Sequence, residues 1–295
     1  MTVTASVNDI LRTLAEQPGD VVFAPAPGAG PGHWLGAPSA VFDGNWWWLA
    51  YRVRRPLDEG RGIANIVARS RDASSWETVA TVTSDGFGAA SLERPALVRR
   101  PDGAWRLYVS CATVGSKHWW VEALDAADPS GLADGERAMV LPGDAAEAWK
   151  DPVVWHDGQQ WQMWACRHPL DGGDDAADRM SSHHAVSSDG LVWHWSGQVL
   201  TPTAGTWDQR GTRVSTAYRG GVFYDGRASA AENWYERTGF ATASPLVPTD
   251  GPVGRAGAAL RYLSVVEGPE GVRLFWEATR SDGAHDLRTA LVTAH

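Results

Sequence analysis

Cysteine is scarce in this sequence, and basic charge is outnumbered by acidic. Its 295 residues contain two cysteines, Cys111 and Cys166, too few for the disulfide framework of a small secreted domain. Both fall at matching places in successive repeats and are expected to be buried and reduced. Lys and Arg number 26 against 35 Asp and Glu, so the formal charge is −9 and the pI near 5.4. That balance excludes a nucleic-acid partner, which needs concentrated Lys and Arg to meet the phosphate backbone. The opening MTVTASVNDILRTLAEQ has no basic segment followed by a continuous apolar one, and no later run reaches the length of a membrane span. The expectation is a soluble, cytoplasmic protein with no membrane partner.

Tryptophan is present in excess. Seventeen are spread along the whole chain, so much of the core must be built from aromatic rings, with others left for a binding surface of the kind a sugar requires. No composition break marks a linker, which favours one main domain. Within it a short apolar strand, a turn and an aromatic strand recur five times, beginning at Gly36, Glu93, Lys150, Gly211 and Leu260, which are 57, 57, 61 and 49 residues apart. Glycine supplies the turn in four of them, at Asp43-Gly44, Asp102-Gly103, Asp157-Gly158 and Gly220-Gly221, so each unit opens with a hairpin. The pattern Ser-x-Asp-x-x-x-Trp at Ser70, Asp72 and Trp76, repeated at Ser187, Asp189 and Trp193, marks a second hairpin. Two hairpins make a four-stranded sheet, and five such sheets set radially leave only short, protected edges. The fold predicted is all-β: a five-bladed β-propeller over residues 21–295, preceded by a helical segment over residues 1–20 with helix spacing at Val7, Ile10, Leu11 and Leu14. The fifth unit is one strand short, and Val21 to Ala24 is expected to supply its outer strand and close the ring.

In a propeller the first strand of each blade lines the central channel, so the repeat nominates the channel residues: Gly36, Ala37, Glu93, Arg94, Lys150, Asp151, Thr212, Arg213, Arg261 and Tyr262. Connections between second and third strands rise over the same mouth. They bring Arg52 and Arg54, then Lys117 and His118, then Asp171, Asp174, Asp175, Arg179 and His183, then Asp225, Arg227, Glu232 and Glu236, and last Arg280, Asp282 and His285. Arg52, Arg94, Arg213, Arg227 and Arg261 suit a cationic mouth for a carboxylate or phosphate, as on a uronic acid or a sugar phosphate. Trp119 or Trp120, following Lys117 and His118, is a candidate platform for a sugar ring, and Tyr262 on the channel ring is a further candidate contact. The adjacent His183 and His184 point to opposite faces of a strand and match no metal cage, so neither metal nor cofactor is expected.

The strand openings Ala37-Pro38, Arg94-Pro95 and Lys150-Asp151-Pro152, the strand end Tyr224-Asp225-Gly226 and the run Glu236-Arg237-Thr238-Gly239-Phe240-Ala241 carry a resemblance by their order and spacing. Over about residues 34 to 290 the chain resembles the five-bladed glycosidase-like propellers of glycoside hydrolase families 43, 32, 62, 117 and 130. The resemblance implies a first-blade carboxylate as base or nucleophile, an Asp in an Asp-Pro unit that orients and tunes it, and a Glu on a later blade as acid. The chain departs from that pattern at Ala37, where the first Asp is expected. By motif match Asp151 takes the orienting position, and Glu93, Glu232 and Glu236 are the candidates for the acid.

Hydrolysis of a glycosidic bond needs two carboxyl groups about 5 to 5.5 Å apart for retention or about 6.5 to 9.5 Å for inversion, one protonated and one ionised. Each candidate also has a structural reading: Asp151 and Glu93 as salt bridges that brace the channel, Glu232 and Glu236 as solvated loop residues. The leading expectation is a carbohydrate-active propeller, glycoside hydrolase-like, acting on a small glycoside. Because of Ala37, three alternatives stand beside it: a phosphorylase-like reaction using the arginine mouth, a sugar-binding propeller without catalysis, and a repurposed enzyme of secondary metabolism.

Overall fold

The computed structural model describes residues 5–172, 178–242 and 246–293. The chain begins with helix α1 (Val7–Glu16) and strand β1 (Asp20–Phe23). The Ser6 hydroxyl accepts from the Asp9 backbone N–H while the Asp9 carboxylate accepts from the Ser6 N–H, a reciprocal cap that fixes where α1 starts. Five antiparallel blades follow. Blade one is β2 (Trp34–Phe42), β3 (Trp47–Arg54), β4 (Gly62–Ser70) and β5 (Glu77–Thr83). Blade two has a broken first strand, β6 (Ser91–Leu92) and β7 (Ala96–Arg99), then β8 (Trp105–Ala112), β9 (Trp119–Ala126) and β10 (Glu136–Leu141). Blade three is β11 (Glu147–His156), β12 (Trp161–Pro169), β13 (Ser181–Ser187) and β14 (His194–Leu200). Blade four is β15 (Gly211–Tyr218), β16 (Gly221–Arg227), β17 (Arg237–Thr242) and β18 (Val247–Val253), and blade five is β19 (Leu260–Gly268), β20 (Gly271–Thr279) and β21 (His285–Leu291).

Strand β1 pairs antiparallel with β21, Asp20 opposite Thr289 and Phe23 opposite Leu287, and so supplies the fourth strand of blade five. The first strands pack against one another in turn, β2 on β7, β7 on β11, β11 on β15, β15 on β19 and β19 on β2. Aromatic rings fill the wedges between blades. Trp47 and Trp48 are neighbours on one strand and therefore face opposite ways: Trp48 meets Trp105 of blade two at 5.2 Å, and Trp47 meets Phe275 of blade five at 6.2 Å. Trp46 is half-buried beneath Arg69 and Arg71. Cys111 and Cys166 are buried free thiols.

Each first strand is interrupted where it reaches the channel. Register slips between Gly36 and Ser39, Lys150 and Val153, Val214 and Thr216, and Arg261 and Ser264, while blade two breaks outright at Glu93 to Pro95. Three non-glycine residues at these bulges take left-handed backbone, Ala37 (φ 53°), Asp151 (φ 52°) and Tyr262 (φ 56°), a strained conformation that the surrounding sheet must hold. The bulges detach backbone N–H groups from the ladder, and an adjacent blade satisfies them. Arg94 N donates to the Asp151 carboxylate at 3.1 Å, Asp151 N to the Ser110 hydroxyl at 2.9 Å, and Tyr262 N to the Asp225 carboxylate at 2.9 Å.

The N-terminal segment is tied to blades four and five twice. Besides β1, helix α1 buries Ile10 and Leu14 in a cluster with Phe223, Leu263 and Val292, and Tyr218 donates its hydroxyl to the Ala5 carbonyl at 2.7 Å. Deleting residues 1–26 would open both the edge of blade five and this cluster. The unfolding midpoint is then expected to fall by at least about 10 °C, or the chain to fail to fold. A truncated protein that melts within about 2 °C of the intact one contradicts this role.

Candidate functional site

The channel residues assemble into a closed loop of alternating charge that passes through all five blades. From Arg213 on β15 it runs to Glu236, then to Arg261 (3.1 Å), to Glu277 (2.7 Å), to Arg52 (4.0 Å), to Glu93, to Lys150 (4.0 Å), to Asp151 (3.9 Å) and back to Arg213 (3.4 Å). All eight side chains are buried. Side branches hold the loop in place. Arg227 donates to Glu236 at 2.5 Å, Asp225 accepts from Arg213 at 3.0 Å, Arg61 lies 3.1 Å from Glu93, and His285 Nδ1 lies 2.7 Å from Glu277. The Tyr262 ring fills the middle, its centroid 4.0 Å from the Arg213 guanidinium, 5.1 Å from Arg261, 5.7 Å from Arg94 and 5.8 Å from Arg52. The result is a plug across the channel.

This arrangement sets the protonation of the candidate acids. Burial alone would raise the Glu236 carboxyl, but Arg213, Arg227 and Arg261 outweigh it and hold it at about 2. Against the same burial, Lys150, Arg61 and Arg52 keep Glu93 well below the usual carboxylate range, and Arg261, His285 and Arg52 do so for Glu277. Asp225 goes the other way: burial, with the Glu236 charge beside it, pushes it up to about 6 despite Arg213 and the Tyr262 N–H. In the channel as a whole seven cations, Arg52, Arg54, Arg94, Lys150, Arg213, Arg227 and Arg261, are buried with five carboxylates, Glu93, Asp151, Asp225, Glu236 and Glu277. The plug is therefore positively charged.

Above it lies a cavity of about 440 Å³. Of the residues nominated from sequence, Lys117, Trp119, Lys150, Arg213 and Arg227 line it, together with Arg61, His168, Met180 and Arg210. Asp178 is the one carboxylate among the described lining residues, and it is held by Arg227 at 2.8 Å and Arg210 at 3.1 Å. The Lys150 ammonium makes no hydrogen bond among the described residues; it sits 4.7 Å from the Trp119 ring centroid, between carboxylates at 3.9 and 4.0 Å. Trp119 is thus buried under a lysine and not laid open as a platform for a sugar. Trp120 is partly buried and donates to Glu122.

The remaining nominees do not line this cavity. Asp151, Glu93, Glu236, Arg52, Arg261 and Tyr262 are sealed in the plug, each 3 % exposed or less, and Arg94, equally buried, lies on the far side from this cavity. Glu232 accepts from the Ala228 N–H at 3.0 Å, and His118 meets the Thr113 hydroxyl at 2.8 Å. Glu93 and Glu236 lack the raised carboxyl that an acid requires, because the same arginines that bury them keep them ionised. Ala37 is fully buried, and the carbonyl of its neighbour Pro38 accepts from Arg94 at 3.0 Å. His183 packs edge-on to Trp149 while His184 bonds Gln162, so the pair does face opposite ways. Asp174 and Asp175 lie outside the described residues. Sequence reading passed over Arg61, Asp178 and Arg210. One available signal was missed: the chain has only two lysines, Lys117 and Lys150, and both face the cavity.

No protein-family model and no curated protein sequence matches the chain. Solved structures do. A thermostable family-43 glycoside hydrolase superposes with a TM-score of 0.65 at 14 % identity, over 86 % of this chain and 88 % of that one. The GH43_1 enzyme from Xanthomonas citri complexed with xylose gives 0.64 at 15 % identity, over 95 % and 92 %. A member of the GH130 family of mannoside phosphorylases, which contains glycoside hydrolases that target β-1,2 mannosidic linkages in Candida mannan, gives 0.62 at 12 % identity, over 94 % and 93 %. At these identities the likeness establishes a shared propeller fold.

The plug makes a pH prediction whose sign differs between its members. Glu93, Glu236 and Glu277 are depressed from 4.5, so their contribution to stability is complete above that pH and is lost as pH falls through the folded values, about 2 for Glu236. Asp225 is raised from 3.8 to about 6, so its contribution is complete below 3.8 and is lost as pH rises through 6. Asp225→Asn isolates the second effect. The midpoint of the variant relative to the parent is expected to climb as pH goes from about 4 to about 7. A difference that stays flat or falls over that range contradicts the assignment.

Proposed function

We propose that this propeller is carbohydrate-active by taking a small sugar that carries a carboxylate or phosphate group into the mouth cavity. One observation carries the reading: Arg61, Lys117, Lys150, Arg210, Arg213 and Arg227 line the cavity against one carboxylate, Asp178, among the described residues. Arg213 is held by Asp151, Asp225 and Glu236, none of which lines the cavity, so its position is set before a ligand arrives. An anion arriving there meets guanidinium groups that lose little further freedom on binding. Trp119 supports the reading by holding Lys150 in place.

Glycosidase chemistry through Asp151 with Glu93 or Glu236 has less support, because the plug separates all three from the cavity and keeps both glutamates ionised. Phosphorolysis is the second reading, favoured by the same cationic lining. Phosphate as the attacking group needs fewer protein carboxylates, and a sugar phosphate is the product.

Calorimetric titration with glucuronate, glucose 6-phosphate and glucose tests the first reading. The two anions are expected to bind and to raise the unfolding midpoint by mass action, glucose to do neither, and added salt to weaken the binding. Lys117→Ala combined with Lys150→Met should cost at least about tenfold in affinity. Equal binding of glucose and glucuronate, or an unaffected double variant, contradicts it. Sugar phosphate released from a β-mannoside only when phosphate is added would establish the second reading.

A further inference from the structure

Below the plug the channel widens into a second cavity of about 270 Å³, with Arg94 and Ser215 among its lining residues. Arg94 differs from the arginines of the charge loop. Its guanidinium donates to the Pro38 carbonyl at 3.0 Å and the Ser215 carbonyl at 2.7 Å, but no carboxylate lies within ion-pair reach of it among the described residues, and Nη1 has no partner. The Tyr262 ring covers its upper side. Ser215 is 1 % exposed, and its hydroxyl also has no partner. A buried guanidinium and a buried hydroxyl left unsatisfied are each costly. The two residues touch, through Arg94 Nη2 and the Ser215 carbonyl, and both belong to the cavity lining, so their two unmet donors make a donor set for an anion.

The rest of the lining narrows the class of anion. Val41, Val98, Val154 and Val265 form walls, and the exposed Arg99 and Trp155 stand at the rim. We propose that this lower cavity binds a small monocarboxylate with an apolar body, its carboxylate on Arg94 Nη1 and Ser215 Oγ and its body among the valines. One cation matches one negative charge. Ser39, His156, Thr216 and Ser264 also line the cavity, but Arg94 is its one buried cation among the described residues, so a single negative charge joined to an apolar body fits Arg94 and the valines better than a phosphate dianion does. This site is independent of the mouth cavity, from which the plug divides it.

Benzoate, benzyl alcohol and chloride titrated against the full chain test the proposal, with crystals soaked in 4-bromobenzoate to locate the bromine by anomalous scattering. Benzoate is expected to bind with one-to-one stoichiometry and benzyl alcohol, its uncharged counterpart, at least about tenfold more weakly. Ser215→Ala loses no hydrogen bond in the free protein, so its melting should match the parent while benzoate weakens about three- to tenfold. The bromine peak should fall among the valines. Four results overturn the proposal: no benzoate binding at about 10 mM, benzyl alcohol binding as well as benzoate, a Ser215→Ala variant with parental affinity, or a bromine peak only at the mouth. Chloride that binds as tightly as benzoate overturns the apolar-body part and leaves a halide site.

Discussion

The closed loop of eight buried charges is the interaction on which the rest of this structure depends. It takes members from every blade in turn, from Arg213 and Glu236 in blade four through Arg261 and Glu277 in blade five, Arg52 in blade one and Glu93 in blade two to Lys150 and Asp151 in blade three. Desolvating one ion costs several kcal/mol, roughly, and a buried pair recovers this only when its geometry is good and its remaining donors and acceptors are met. A loop in which each charge has an opposite neighbour on both sides meets that demand better than separate pairs do. It also explains why the bulged strands keep their strained residues. Asp151 and Asp225 accept the N–H groups that the bulges release, and they are held in place by Arg213.

The loop divides the channel into two environments. Above it, a cluster of cations with Asp178 as the one carboxylate among the described lining residues faces a polar cavity; below it, Arg94, with no carboxylate within ion-pair reach among the described residues, lines a cavity that is partly apolar. The carboxylates that a glycosidase would use are drawn into the partition itself. Their burial and ionisation follow from carrying so many arginines in one channel.

Much of this was legible in the sequence, because the relevant signals are local. The glycine turns and aromatic strands of the repeat mark the hairpins, and Ser6 with the spacing of Ile10 and Leu14 marks α1. The alternation of channel position with blade position brought Asp151, Arg213, Arg261 and Tyr262 to the axis as expected. Pairing was not legible. Arg52 and Glu277 are 225 positions apart and meet only because blade five returns to blade one. Glu277 sits near the end of β20 with no motif around it, so nothing local nominates it. The arginines were read as free to clamp a ligand, whereas most are spent on carboxylates that the same reading assigned to catalysis. Burial decides which use prevails, and burial follows from the Tyr262 ring crossing the axis, a consequence of a bulge that the residues Arg261-Tyr262 do not announce.

The central claim is that the channel carboxylates brace the plug and do not act on the sugar. Asp151→Asn tests it most directly, with stability by chemical unfolding and glucuronate affinity measured on the same sample. Neutralising one partner of a buried pair leaves Arg213 and Lys150 short of a counterion, so the account predicts a stability loss of about 3 to 5 kcal/mol. Affinity of the folded protein for glucuronate should be unchanged or tighter, since the cavity floor gains net positive charge. A variant that keeps the parental stability and loses binding or turnover of a sugar would contradict the account and return Asp151 to a catalytic role.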